Sequence, residues 1–259
     1  MKMLKKNLYP GFYVAFALMF VSFVSMAFPE WLISRDWGAI GQPSALQLTL
    51  EPIYFGGVML MFPFAACTVF APLQVEELQS GFIWERCIRS SRLRYGLNQL
   101  VHNFVLSMVC FSLAFLAHAL LFHLIALPSA PEVYDSHEIP YAPDCIYSAW
   151  FPVLHGLPII LWIAVMIGLT AGVWATLGLA ISAWVPDRLL TISIPTFIYY
   201  VVSSQSFFRF TGRLLPHPAD LYNDALTWPM VWHSLIYNLV LLVLFSSIYL
   251  TGIRRRLQK

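Results

Sequence analysis

The sequence predicts an all-α integral membrane protein with six transmembrane helices, and three observations carry this prediction. Of its 259 residues, 59% are hydrophobic and 11% are charged, whereas soluble domains are about 45–50% apolar and about 25% charged. The mean hydropathy is +0.71. The apolar residues form uninterrupted segments of about 20 residues, which is the length that an α-helix needs to cross a bilayer. A porin-type barrel is disfavoured, because its strands produce only short alternating segments.

Six apolar segments define one expected transmembrane domain that covers residues 1–259. The first follows a basic N-terminus and lacks a small-residue cleavage site, so we expect it to be a retained span. Pro63 predicts a kink in the second. In the fourth, the GxxxG pattern from Gly168 to Gly172 predicts close packing against another helix, without indicating which one. The predicted spans are residues 11–28, 52–73, 97–126, 153–184, 189–207 and 229–250.

The distribution of basic residues predicts that both termini are cytosolic. With that orientation, twelve of the fifteen Lys and Arg residues lie on the cytosolic side, as the positive-inside rule requires. The segment between spans 5 and 6 is then external, and a short external helix is expected over residues 219–226. Only Cys145 of the four cysteines faces outside, so no external disulfide is expected within the chain.

A charged stretch from Val75 to Leu100 separates the second and third spans. It holds three glutamates and then four arginines, in a chain where charged residues are otherwise sparse. A charged helix between two spans lies at the membrane surface, and the basic-residue count places it in the cytosol. We therefore expect a short surface helix over residues 75–86, with Gly81 permitting a tight backbone turn.

This stretch resembles the region after the second span of the ABC-2 type permeases, the transmembrane subunits of type V ABC transporters. The resemblance lies in the run from Glu77 to Gly81, the amphipathic residues after it, and Arg89-Ser-Ser-Arg92 followed by Tyr95. The motif covers about 20 residues, and the six-span topology is similar over the whole chain. Family members often have a proline just before the Ser-Arg turn, where this chain has Ile88-Arg89-Ser90.

The resemblance implies that the surface helix is a coupling helix that docks into a separate ATP-binding subunit. Its apolar residues would supply the docking surface, and its charged residues would form pairs at the rim. The alternative is an amphipathic helix that lies on the lipid headgroups, with its arginines on phosphates. The expected coupling residues are Glu76, Glu77, Gly81, Phe82, Ile83, Trp84, Glu85 and Arg86.

The chain itself shows no catalytic or nucleotide-binding motif. It lacks GxxxxGK[ST], GxSxG, HExxH and GxGxxG. We therefore expect no enzyme activity and no cofactor in this chain, with ATP and Mg²⁺ bound by the partner ATPase. No metal site is expected either, because His118 and His123 point about 140° apart on a helix. The external residues His137, Glu138, Asp144 and Cys145 match no closed metal site.

Two further sets of residues are candidates for a substrate pathway or a subunit interface. Hydroxyl groups follow one face of span 5, where they either bond to helix carbonyls or line such a surface. The phenylalanines near one face of span 1 are either lipid-facing or packing residues, or one wall of a path for an apolar substrate. The two sets are Ser193, Thr196, Tyr200 and Ser203, and Phe12, Phe16 and Phe20.

The function that the resemblance implies is a permease subunit in a bacterial plasma membrane. It would pair with a second copy or a homologous permease and export an amphipathic or hydrophobic substrate, such as an antimicrobial peptide, a lipid or a drug. No nucleic-acid partner is expected. One alternative is a CAAX-type intramembrane protease, for which Glu76, Glu77, His118 and His233 invite comparison, although Gly81 stands where that motif has Arg. The other is a non-catalytic membrane scaffold or sensor.

Overall fold

The computed structural model describes residues 10–34, 43–54, 57–82, 91–126, 156–203 and 228–258. Within these ranges the chain forms eight α-helices and no β-strand. In chain order the helices are α1 (Pro10–Ser34), α2 (Ala45–Tyr54), α3 (Gly57–Thr68), α4 (Ala71–Gln79), α5 (Arg92–Ile125), α6 (Leu157–Trp184), α7 (Arg188–Ser203) and α8 (Trp228–Arg256).

Four of these helices are long and apolar enough to cross a membrane. They are α1, α5, α6 and α8, with 25, 34, 28 and 29 residues. They coincide with the first, third, fourth and sixth predicted spans. The all-α class and the multi-pass membrane character that the sequence predicts are therefore confirmed.

The predicted second span, residues 52–73, is divided among three shorter helices. It takes in the end of α2, the 12 residues of α3 and the start of α4. The break between α3 and α4 falls at Val69 and Phe70, just before Pro72, which has no N–H to continue the helix ladder. The charged helix therefore begins at Ala71 instead of Val75, and it ends at Gln79.

The three short helices pack one after another along α5 and run antiparallel to it. Leu48 of α2 clusters with Phe122 near the C-terminal end of α5. Phe62 of α3 lies 4.9 Å from Phe111, measured between ring centroids, and Phe70 lies 5.7 Å from His102. Gln74 of α4 then reaches the hydroxyl group of Tyr95 in the first turn of α5.

The remaining predicted span, residues 189–207, is represented by α7, with 16 residues. Its buried face carries Thr191, Pro195 and Tyr199. Tyr199 packs edge-on against Trp174 of α6 at 4.9 Å and also contacts Phe62 of α3. Residues 204–207 lie outside the described ranges.

Helix α6 is the centre of the bundle, and the small residues of its GxxxG pattern face α5. A Cβ added to Gly172 would lie 2.7 Å from the Phe104 ring and 3.1 Å from the Phe104 carbonyl oxygen. About two turns away, the hydroxyl group of Ser112 donates to the Ala164 carbonyl at 2.8 Å. The structure thus identifies α5 as the helix that the glycines approach.

Several expectations fall on residues that the structure does not describe. They are the basic N-terminus, the external segments over residues 127–151 and 208–227, the external helix over residues 219–226, and Cys87 and Cys145.

We expect Gly172→Leu to lower the free energy of unfolding by about 1–3 kcal/mol, because the added side chain meets backbone as well as the Phe104 ring. Thermal unfolding of the purified chain in detergent would measure this. The matched control is Val165→Leu, an exposed position on the same helix. Equal unfolding temperatures for the two variants would contradict the close approach of α5 and α6.

Candidate functional site

The C-terminal half of α4 is fastened to α5 by a buried carboxylate. Glu77 is only 7% exposed. Its Oε2 atom accepts hydrogen bonds from the Tyr95 hydroxyl group at 2.8 Å and from Nε2 of Gln99 at 3.0 Å. Gln99 also donates to the Tyr95 oxygen at 3.0 Å, so the three side chains form one network. The position of α4 relative to α5 is therefore held by directional, charge-assisted bonds.

Two exposed contacts fasten α4 to the next pair of helices. Glu76 forms an ion pair with Arg188, in the first turn of α7, at 2.9 Å. Gln79 donates to the Pro186 carbonyl in the turn between α6 and α7 at 2.7 Å. Helix α4 is thus attached to α5 through Glu77, to α7 through Glu76 and to the α6–α7 turn through Gln79. These three residues lie near its C-terminal end.

The chain leaves α4 through a left-handed turn. The Ser80 N–H donates to the Glu76 carbonyl at 2.9 Å, and Gly81 follows with φ of 73°. This is the conformation that glycine adopts most readily after a helix C-terminus. Gly81 thus forms a turn, but the turn follows the charged helix instead of leading from the second span into it. Phe82 follows with its side chain 43% exposed.

The structure divides the predicted coupling residues into three groups. Glu77 is buried, so the expectation that it lies at the rim of a docking surface is wrong. Glu76 and Phe82 are accessible. Gly81 forms the turn between them. The other four residues, Ile83, Trp84, Glu85 and Arg86, lie outside the described ranges.

Basic residues gather at the same end of the bundle as α4. The C-terminus of α8 is held there by Trp184 of α6, whose indole N–H donates to the Ile248 carbonyl at 3.1 Å. In return, Arg256 donates to the Trp184 carbonyl at 2.9 Å, and the Arg255 guanidinium lies 5.7 Å from the Trp184 ring centroid. All the Lys and Arg residues in the described ranges lie at this end: Arg92, Arg94, Arg188, Arg254, Arg255 and Arg256.

The hydroxyl stripe of α7 points away from the buried face of that helix. Ser193 and Tyr200 are exposed. Thr196 is half-buried, and its hydroxyl group donates to the carbonyl of Ile192 at 2.7 Å. Of the two alternatives, the Thr196 hydroxyl group therefore bonds to a carbonyl of its own helix. Ser193 and Tyr200 instead lie on the surface of the bundle. The side chain of Ser203 lies outside the described part.

The phenylalanines of α1 lie at the edge of its packed face. Phe12, Phe16 and Phe20 are half-buried, and the rings of Phe16 and Phe20 stack at 6.2 Å. The fully buried line of this helix is instead Ala15, Met19, Phe23 and Ala27. Phe12 and Phe16 also pack against the hydrophobic core, which favours the packing interpretation for these two residues.

The two partners of Glu77 are functional candidates that the sequence interpretation missed. In the sequence, Tyr95 stands out only as part of the motif after the second span, and Gln99 belongs to no motif. A signal was present, because polar residues recur every four positions from Tyr95 in an otherwise apolar helix.

The described residues hold no group of three or more His, Cys, Asp and Glu side chains that could bind a metal. His118 is buried among aromatic rings, 4.9 Å from Phe122 and 5.5 Å from Phe23. It lies on α5 about 35 Å beyond Tyr95, the residue that contacts Glu77, at about 1.5 Å per residue. The structure thus does not bring Glu77 and His118 together.

We expect Glu77→Ala to lower the free energy of unfolding by about 1–3 kcal/mol, because the buried Tyr95 hydroxyl group would lose its acceptor and the Gln99 amide one of its two. Glu76→Ala is the matched control, since an exposed ion pair contributes about 0–1 kcal/mol. Thermal unfolding in detergent would compare the two. A larger effect of Glu76→Ala would contradict the described network.

Comparison of the chain with protein-family models, curated proteins and solved structures gives no match. Functional inference therefore rests on the geometry of this end of the bundle. The most distinctive feature there is α4, which is bonded to its neighbours inside the bundle. It is followed by the exposed aromatic side chain of Phe82.

Proposed function

We propose that this chain is the permease subunit of an ABC transporter of the ABC-2 type, driven by a separate ATPase subunit that docks at the end of α4. The observation that carries the proposal is the three-point attachment of α4, which is followed by the Gly81 turn and the exposed Phe82. ATP and Mg²⁺ would be bound by the partner ATPase, and this chain would contribute neither a nucleotide site nor a cofactor.

The attachments of α4 provide a physical route for coupling. A force on the segment after Gly81 acts on a helix that is bonded to α5 through Glu77. The same force reaches α7 through Glu76 and Arg188, and the α6–α7 turn through Gln79. Because these contacts lie at one end of the helices, movement of α4 would tilt several helices together instead of deforming one loop.

The proposed topology has six crossings, both termini in the cytosol and a bacterial plasma-membrane location. The second crossing would be the broken run of α2, α3 and α4, and the fifth would be α7. The grouping of all described basic residues at the α4 end supports a cytosolic position for that end.

A second copy of the chain, or a homologous permease, would complete the pore. The exposed hydroxyl groups of Ser193 and Tyr200 favour α7 as a surface toward that partner or toward the pathway, because polar groups are costly in contact with lipid tails. An amphipathic or hydrophobic exported substrate, such as a peptide, lipid or drug, is consistent with the aromatic side chains of the bundle.

Two other functions receive less support from the geometry. A CAAX-type protease needs its glutamates and histidines in one site, whereas Glu77 on α4 contacts the first turn of α5 and His118 lies about 35 Å farther along α5. A non-catalytic scaffold or sensor would share the same topology but would need no ATPase. Co-purification with a Walker-motif ATPase would favour the permease over the scaffold.

Phe82→Asp should prevent the ATPase subunit from co-purifying with this chain, because it places a charge at the start of the proposed apolar docking surface. Glu77 is unsuitable for this purpose, since a charge reversal there would also disturb the buried network. The control is Leu93→Asp, at a position 62% exposed in the first turn of α5. Complex assembly and stimulated ATPase activity that survive Phe82→Asp would contradict docking at this position.

Ser193→Cys should give covalent dimers with a short bifunctional thiol reagent in membranes if α7 faces a second permease. Val109→Cys, on the exposed face of α5, is the matched control. Cross-linked dimers would be detected by denaturing electrophoresis in a chain without other cysteines. Equal yields from the two positions would argue against an interface at α7.

A further inference from the structure

One face of α5 carries polar side chains at regular four-residue spacing. They are Tyr95, Gln99, Asn103 and Ser107, and all four are buried. At about 1.5 Å per residue they extend about 18 Å along the helix, more than half of a hydrocarbon core about 30 Å thick. The next two positions of the same series are aromatic, Phe111 and Phe115. We call the four polar residues the α5 stripe.

The two halves of the α5 stripe differ in hydrogen bonding. Tyr95 and Gln99 belong to the Glu77 network. In contrast, both amide atoms of Asn103 and the hydroxyl oxygen of Ser107 have no partner within the described part of the chain, and both side chains are 0% exposed. Oε1 of Gln74, whose Nε2 donates to Tyr95, is also buried without a partner.

Several other buried hydroxyl groups in the bundle reach an acceptor, although that of Thr170 on α6 does not. Ser182 donates to the Leu179 carbonyl at 2.7 Å, and Thr176 donates to the Gly172 carbonyl at 2.8 Å. A hydroxyl group on a helix therefore readily finds a carbonyl of its own chain. The unpaired groups of Asn103 and Ser107 are exceptions, and exceptions in a native core require a physical account.

The donors and acceptors left unpaired identify the class of ligand that fits them. Nδ2 of Asn103 needs an acceptor, whereas Oδ1 of Asn103 and Oε1 of Gln74 need donors. Water supplies both functions, and internal waters commonly satisfy buried polar groups of this kind. A metal cation would serve the oxygen atoms but would leave the Asn103 N–H groups unpaired.

We propose that Gln74, Asn103 and Ser107 hold a file of internal water molecules along α5. The file begins beneath the Glu77 network, beside the last turn of α4, and extends toward the middle of the bundle. It ends at the edge-to-face pair of Phe62 and Phe111, whose ring planes meet at 75°. The file is a water-filled inlet that is closed at its inner end by these two rings. It does not depend on the transporter proposal.

Silver ions test the inlet, because Ag⁺ is small, travels through water and reacts with thiols. The starting chain would carry Cys67→Ala, Cys87→Ser, Cys110→Ala and Cys145→Ser. Asn103→Cys and Ser107→Cys would each be added singly. The matched control restores Cys110 alone, a buried position at similar depth whose sulfur lies 3.5 Å from the Phe12 carbonyl. In membrane vesicles, Ag⁺ blocking would be measured as loss of later maleimide labelling after denaturation.

We expect Ag⁺ to block positions 103 and 107 at least about a hundredfold faster than position 110, since an uncompensated ion is excluded from a dry apolar interior. Equally slow blocking at all three positions would overturn the proposal. If the cysteine-substituted chains fail to fold, water-edited solid-state NMR of the unsubstituted chain in lipid provides a second measurement. Transfer from water to the Asn103 amide group should then build up faster than transfer to Ala114, and equal build-up rates would refute the file.

Discussion

The close approach of α5 and α6 is the contact on which the arrangement of the other helices depends. The glycines of α6 bring its backbone near Phe104 and Met108 of α5. In a membrane, helix association relies on such packing and on interhelical hydrogen bonds, because lipid tails are as apolar as the helix surfaces. Helix α6 then has its remaining faces free to contact α3, α7 and α8, through residues such as Trp174, which touches both Tyr199 and Phe245.

The broken run of α2, α3 and α4 shows how the bundle accommodates prolines in its interior. Non-helical backbone is tolerated in membrane proteins where it is buried in protein. The turn at Val69 and Phe70 is buried, and the Phe70 ring packs against His102. The break separates α4 from the apolar part of the run. As a result, α4 takes its own direction and meets both α5 and the start of α7.

Buried polar groups connect the packing of the bundle to its proposed activity. Glu77 is held by two donors, and its network ties α4 to α5. Farther along the same face of α5, the proposed waters at Asn103 and Ser107 would replace side-chain partners. Water-mediated contacts exchange partners more easily than interlocked apolar side chains do. A bonded attachment at one end would make α5 move together with α4, and a hydrated interface beyond it would ease the movement of α5 against its neighbours.

The sequence by itself determined the class of the protein, because the length and continuity of apolar segments reflect the thickness of the bilayer. The spans at α1, α5, α6 and α8 were predictable for that reason, and the positive φ at Gly81 was predictable from the conformational freedom of glycine. The division of the second span was not, since Pro63 lies inside the continuous helix α3, whereas the helix is interrupted just before Pro72.

Only the tertiary structure decided which side chains are buried at the charged end. Glu76 and Glu77 are neighbours of the same chemical type, yet one faces Arg188 at the surface and the other faces Tyr95 and Gln99 inside. The direction of each side chain follows from where α4 begins and how it is rotated against α5. Those two quantities are set by long-range packing, which the local pattern of charges does not contain.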